Sequence, residues 1–345
     1  MDNLSHIKIK GFKSIKELDL KMKPINVLIG ANGSGKSNFI SIFEFLNHLE
    51  RKQEELYVLQ NGGADGFFHF GAKHTDRIVF DLTVNKNHYK TFFVKGTSKD
   101  TLLKGIEESS SLDGFTKGHS WNLITPYLKG IRSYHFHDTS PDAKFKSYQD
   151  IGQNKFLDSF ASNLAPFLYR LKNYFPQDYK NIVQAVQTVA PYFQDFDFNI
   201  EGENILLRWQ HTNDLSNLGF SAQTLSDGTA RFICMATLFL QPKELRPATI
   251  VLDEPEIGLH PDALTVLSEV IKAVANDGAQ VIISTQSVTL ANCFEPDDFI
   301  VVDYEDGESK FERFGKEKQE KLKDWLEDYQ MGTTWEENML GGMPK

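Results

Sequence analysis

Cysteine is scarce: the 345 residues hold two, Cys234 and Cys293, far apart and each flanked by apolar neighbours. That excludes a disulfide framework and a cysteine-built zinc site, and both are expected to be buried, reduced thiols of a cytosolic protein. Long apolar runs are missing as well. The longest, Phe232 to Leu240, is about half of what a bilayer crossing needs, which excludes membrane spanning. The opening stretch alternates polar and apolar residues and shows neither a long apolar core nor a small-residue cleavage site, so no secretory signal is expected. Positive charge is in deficit, with 37 basic against 47 acidic residues and a net charge of −10. Such a balance disfavours a chain that coats DNA through its overall field, while a local basic groove on an acidic protein stays open. Internal repeats and sustained heptads are absent, and the one biased stretch, Glu107 to Ser111, reads as a polar loop.

What is present suits a sizeable core, with 40% hydrophobic and 24% charged residues. Residues 5–10 alternate, Gly11 is expected to turn the chain, and Ile25–Ile29 forms a compact apolar strand. Strand-like runs follow at Ile78–Val84 and Tyr89–Val94, joined by a hairpin-type Asn85-Lys86-Asn87, and at Ile131–His137. From about residue 154 to 193 the apolar spacing becomes helical, with Phe156, Phe160, Leu164 and Phe167 in phase. Short strands return at Phe196–Ile200 and Ile205–Trp209. Beyond them a helix after Ser226, a strand at Thr249–Leu252, a helix after Pro261 and strands at Gln280–Ser284 and Phe299–Asp303 alternate. This order predicts an α/β fold with a largely parallel sheet, added antiparallel strands and a helical insertion.

The chemistry concentrates in two places. Gly30-Ala-Asn-Gly-Ser-Gly35-Lys36-Ser37 matches G-x-x-x-x-G-K-[ST] between an apolar strand and a helix, the context that pattern requires. Its glycines let backbone N–H groups curl around phosphate oxygens, and the helix N-terminus adds positive potential. Lys36 suits the β/γ oxygens and the Ser37 hydroxyl suits Mg²⁺. The second place is Thr249-Ile-Val-Leu-Asp253-Glu254, an apolar strand ending in two carboxylates at the edge where α/β sheets hold ligands. Asp253 suits the Mg²⁺ shell and Glu254 suits a general base that polarises the attacking water, so ATP hydrolysis is the expected reaction.

Two other clusters are less committal. His135 and His137 fall on one face of the predicted strand, a metal-like spacing without a third or fourth ligand nearby, and are read as hydrogen-bonded edge residues or as lining a nucleotide or effector surface. Among the 27 phenylalanines, Phe67-Phe68-His69-Phe70 and Phe92-Phe93 lack the basic interleaving of a base-stacking surface and are read as core.

Longer segments now narrow the class. Asp253-Glu-Pro-Glu-Ile-Gly-Leu-His-Pro261 resembles the Walker B and D-loop segment of ABC-type ATPases of the RecF/SMC/OLD group. Leu225-Ser226-Asp227-Gly228-Thr229-Ala230-Arg231 resembles their signature motif, and Ile9-Lys-Gly-Phe-Lys-Ser-Ile15 also matches. The ending, Trp335 with Leu340-Gly341-Gly342-Met343-Pro344, resembles a stand-alone set of RecF-like ATPases. The resemblance implies a P-loop NTPase of ABC ATPase-head type: one head over 1–345, with a Walker A lobe at 1–137, a helical insertion at 138–195 and a signature and Walker B lobe at 196–345. It implies ATP and Mg²⁺ as cofactors. Gly30, Asn32, Gly33, Gly35, Lys36, Ser37 and Asn38 then hold the nucleotide, Ser37 and Asp253 the metal, and Glu254 with Gln286 the catalytic positions.

Ser226, as an N-cap, forms an anion site with the free N–H groups of the helix it opens, and Gly228 allows close backbone approach. In the family this signature closes over ATP held by another subunit. One chain carries one of each motif, so the resemblance implies an ATP-dependent head-to-tail homodimer, or a higher oligomer built on it. Gln286 is a departure, standing where such ATPases usually show a histidine at the γ-phosphate; its amide can donate but cannot titrate near neutral pH. The glutamine that couples Mg²⁺ to the outer lobe stays open among Gln60, Gln149 and Gln153, and Gly62-Gly63-Ala64-Asp65 reads as a plain loop. No coiled-coil tether and no appended Toprim nuclease domain are expected. Stand-alone members imply genome repair or anti-phage defence, with DNA or a separate effector such as a nuclease as partner and no membrane. A nucleotide-gated binder with negligible turnover and a transporter nucleotide-binding subunit stay open as alternatives.

Overall fold

The protein is described here by a computed structural model covering residues 3–97, 101–110, 120–214, 218–322 and 329–342. The chain divides into two compact units, one of Met1–Ser133, Pro247–Glu254 and Gly278–Lys345, the other of Tyr134–Arg246 and Pro255–Asp277.

The first unit is built on two sheets. A six-stranded sheet runs in the order Glu308–Arg313, Phe299–Glu305, Ile25–Ile29, Gln280–Thr285, Thr249–Asp253, Ile131–Tyr134. Ile25–Ile29 lies parallel to both its neighbours, and Gln280–Thr285 is parallel to Thr249–Asp253 as well. Strands covered on both faces read as continuous apolar runs, and all five residues of Ile25–Ile29 are buried. An antiparallel five-stranded sheet runs Ile15–Lys21, Leu4–Phe12, Ile78–Val84, Asn87–Lys95, Leu102–Ser110. The helix Lys36–Glu50 is covered nearly all round, with only Ser37 exposed, and Phe39, Phe43 and Phe45 share one buried cluster with Phe12, Phe67, Phe80 and Phe93. Phe45 lies 5.1 Å from Phe93 and 5.8 Å from Phe80, ring centre to ring centre. Each such ring contributes roughly 1.5–3 kcal/mol of burial, which anchors the helix that follows the phosphate loop.

In the second unit Phe193–Glu201 and Asn204–His211 form an antiparallel hairpin flanked by short Phe220–Ser221 and Gln149–Asp150. It is accompanied by the helices Leu164–Tyr174, Pro176–Val189, Asp227–Leu240 and Pro261–Asn276.

The α/β architecture, the parallel sheet and the added antiparallel strands agree with expectation, and several local readings change. Gly11 lies inside Leu4–Phe12 and the reversal falls at Lys13–Ser14. The strand at Ile131 ends at Tyr134, because the His135 N–H turns away to the Ser159 carbonyl at 2.8 Å. His135 and His137 therefore do not share a strand face. Residues 154–163 are not helical. Asp158 Oδ1 accepts the Phe160 and Ser162 N–H groups, Asn163 donates to the Gln153 and Phe156 carbonyls, and Ala161 sits at φ 53°. Short polar side chains here outcompete the helix for backbone groups, leaving Phe156 and Phe160 exposed. Residues 107–110 close the strand Leu102–Ser110, paired along its length with Asn87–Lys95, while Ser111 lies outside the described residues. Cys234 is buried, which pushes its thiol up to about 12. Cys293 is only half-buried and donates to the Thr289 carbonyl at 3.4 Å.

Candidate nucleotide site

The phosphate loop leaves the buried strand Ile25–Ile29 and enters the helix Lys36–Glu50. Two glycines have no substitute. A Cβ on Gly30 would lie 2.3 Å from the Val302 carbonyl oxygen, and one on Gly35, at φ 111°, would lie 2.1 Å from Ser309 Oγ. Asn32 and Gly33 form the exposed crest of the loop. No side chain caps the helix that follows and no acidic residue sits in its first turn, so its N-terminal N–H groups and dipole favour an anion. Lys36 is 5% exposed, and its ammonium donates to the Gly30 and Ala31 carbonyls at 2.7 and 3.0 Å. Inside the same loop Ser34 Oγ is buried without a hydrogen-bond partner. A glycine cradle, a buried cation and an unsatisfied hydroxyl are together the chemistry that fits a polyphosphate.

The carboxylates lie beside this loop. Ser37 Oγ donates to Asp253 Oδ2 at 3.1 Å, a hydroxyl and a carboxylate of the hard-oxygen kind that suits Mg²⁺. In the parallel register Asp253 faces Ser284, whose hydroxyl donates to Asp253 Oδ1 and whose carbonyl accepts the Glu254 N–H at 3.0 Å. Glu254 itself is held at φ 46°, a left-handed conformation that a glutamate adopts only under constraint. The Gln286 amide donates to Glu254 Oε1. Gln286 thus reaches Glu254 and orients its carboxylate.

Asn38, expected at the nucleotide, and several residues not singled out in the sequence hold this arrangement. Ser284, fully buried, pins both acids at once, one through its side chain and one through its backbone. Asn38 turns its amide to Ser14 Oγ at 2.7 Å, and Ser309 donates to the same oxygen at 2.6 Å. From the closing motif, the Gly342 N–H donates to Asp303 Oδ1 at 2.7 Å, and a Cβ on Gly342 would lie 3.2 Å from Gly30 Cα. Met343 and Pro344 lie outside the described residues. Ser14 and Gly342 stood inside quoted motifs, yet nothing in the sequence tied them to the loop. Ser284→Ala is expected to raise the Mg²⁺ concentration for half-maximal phosphate release about tenfold, as a lost hydrogen bond to a charged group implies. Gln286→Ala is expected to lower kcat about tenfold with little change in KM, because only the orientation of Glu254 is released.

The signature segment belongs to the second unit. Ser226 is exposed and caps Asp227–Leu240, its hydroxyl accepting the Thr229 N–H at 3.2 Å. Gly228 allows a close approach, but the partner is the Gly258 turn, whose carbonyl oxygen a Gly228 Cβ would meet at 2.6 Å. Arg231, 6% exposed, ties that turn down through the Ile257 carbonyl and reaches the Phe136 and His137 carbonyls at 2.8 and 2.9 Å.

The other glutamine candidates differ in their surroundings. Gln149 is buried and spends its amide on the Lys144, Phe145 and Ser147 carbonyls, while Gln60 is exposed at a helix end. Gln153 accepts from Asn163 through its carbonyl. The segment at Gly63 runs into a short 3-10 turn, Ala64–Phe67. Among the described residues no group of three or more His, Cys, Asp or Glu could hold a metal ion, and no helix is long and apolar enough to cross a membrane.

The fold and the phosphate loop are those of a P-loop NTPase. Residues 25–292 match the model of the family described as "AAA domain, putative AbiEii toxin, Type IV TA system", and the chain belongs to that family of AAA ATPases. Among solved structures the chain is similar to an SMC head bound to the C-terminal winged-helix domain of ScpA, at 17% identity and a TM-score of 0.59 over 92% of this chain and 99% of that one. It is also similar to the Smc head from Pyrococcus furiosus bound to the C-terminal domain of ScpA, at 14% identity and a TM-score of 0.62 over 95% and 100%. A third, the SMC head from Thermotoga maritima, shares 15% identity and a TM-score of 0.50 over 90% and 98%. No curated protein matches the chain.

Proposed function

We propose that the chain hydrolyses ATP with Mg²⁺, in a head-to-tail homodimer whose sites are each completed by the partner's signature segment. The observation that carries this reading is the convergence of a phosphate cradle with an ordered pair of carboxylates, one shared with Ser37 and the other oriented by Gln286. Gly30, Gly35 and Lys36 hold the β- and γ-phosphates. Ser37 and Asp253 hold Mg²⁺, which supplies charge neutralisation on the phosphates. Glu254 takes a proton from the attacking water as the water oxygen bonds to the γ-phosphorus. The bridging P–O bond then breaks and ADP leaves with its electron pair. Ser226, exposed at the N-terminus of its helix, meets the γ-phosphate of a neighbouring chain in this reading.

The chain acts as the ATPase component of a DNA repair or anti-phage defence system with a separate effector. The motif resemblance supports this, as do the toxin–antitoxin description of the family and the partner domain carried by the two similar SMC heads. The test is steady-state phosphate release by the purified chain. Mg²⁺-dependent turnover that Lys36→Ala abolishes is expected, and turnover indifferent to Lys36 would remove the reading.

A further inference from the structure

A tyrosine outside every motif holds the start of the signature helix, and both lie within the second unit. Tyr192 leads into the strand Phe193–Glu201, and its place is fixed from several sides. Its carbonyl accepts the Thr212 N–H at 2.9 Å. Its ring stacks on His211 at 5.7 Å and meets Trp209 edge-on at 5.8 Å, ring centre to ring centre. Its hydroxyl lies 2.9 Å from Thr229 Oγ1. Trp209 makes a second tie, its indole N–H donating at 3.1 Å to the hydroxyl oxygen of Thr224, on the other side of Ser226.

The hydroxyls of Tyr192, Thr229 and Ser226 form a line. Thr229 is 8% exposed, so its two hydroxyl neighbours, more than water, decide which way its proton points. Ser226 donates to Thr229 Oγ1 at 2.8 Å and accepts the Thr229 N–H at 3.2 Å. A hydroxyl has one proton, and here it is spent inward, leaving only lone pairs to face a phosphate oxygen. The proton can swing outward with every hydrogen bond kept if Thr229 donates to Ser226 in its place. That leaves the buried Thr229 oxygen in need of a donor, and the Tyr192 phenol, a stronger acid than an aliphatic alcohol, is in reach. We infer that Tyr192 is a positioning residue for ATP turnover. Its O–H, turned to Thr229, lets Thr229 donate to Ser226 and so aims the Ser226 proton at the γ-phosphate of a neighbouring chain. The O–H bonds rotate and no proton changes its oxygen. This inference rests on the two-chain reading above, in which Ser226 meets that phosphate.

Steady-state phosphate release by the full chain, at protein concentrations where activity per chain has levelled off, tests it. Tyr192→Phe keeps the ring and removes only the hydroxyl. It is expected to lower kcat about five- to tenfold, as the loss of one hydrogen bond implies, with KM for ATP unchanged because the phosphate loop sets it. Thr229→Val, which removes the middle hydroxyl, is expected to show the same split. In a Ser226→Ala background Tyr192→Phe is expected to lower kcat no further, since no serine proton is left to aim. An unchanged kcat in Tyr192→Phe, or the same fold loss in both backgrounds as a purely structural role would give, overturns the inference and leaves the signature reading standing. Normal turnover by Ser226→Ala overturns the signature reading itself and this inference with it.

Discussion

Glu254→Gln is expected to stop steady-state phosphate release, lowering kcat by about 10²- to 10⁴-fold, while ATP stays bound. The substitution is nearly isosteric, and its carbonyl oxygen can still accept from the Gln286 amide that now reaches Glu254 Oε1. What it removes is the capacity to take a proton from water. On the two-chain account, a species that binds ATP and cannot split it accumulates in the closed state. Size exclusion with light scattering is therefore expected to give a dimer of Glu254→Gln with ATP and a monomer without it. A monomer at saturating ATP would contradict the two-chain site, and a retained kcat would remove Glu254 as the base.

Ser226→Arg is expected to have nearly as large an effect on turnover, by a different route. Losing the cap on Asp227–Leu240 costs about 1 kcal/mol, too little to unfold a unit whose helix is buried along most of its length. Placing a guanidinium and its bulk on the exposed helix start instead blocks the approach of another chain's γ-phosphate. ATP affinity of the single chain, set by the loop at residues 30–37, is expected to be unchanged while phosphate release falls to background. Mixing this variant with Lys36→Ala is expected to restore part of the activity, since the mixed dimer holds one intact loop facing one intact signature. Normal hydrolysis by Ser226→Arg alone would show that the segment has another role.

Much of the site was legible because phosphate chemistry constrains contiguous residues. Gly30 to Ser37 and Thr249 to Glu254 each couple an apolar strand to an abrupt polar end, and the structure places both ends together. What escaped the sequence is tertiary. Ser284 looks like any strand residue until the parallel register sets it opposite Asp253. Ser14, Ser309 and Gly342 come from three distant segments and meet the loop only when the sheets close. Where periodicity misled, short polar side chains had taken over. Phe156 and Phe160 are spaced for a helix, but Asp158 and Asn163 claim the backbone between them. Phe70 reads as core with its neighbours Phe67 and Phe68, yet its backbone is left-handed and its ring exposed while theirs are buried.

The central claim is that one chain carries half of each working site. The measurement that tests it most directly is specific ATPase activity against protein concentration at saturating Mg²⁺ and ATP, with the oligomeric state recorded on the same samples. Activity per chain is expected to rise with concentration in step with the dimer fraction and then to level off. Constant activity per chain across concentrations at which the protein is shown to be monomeric would contradict it.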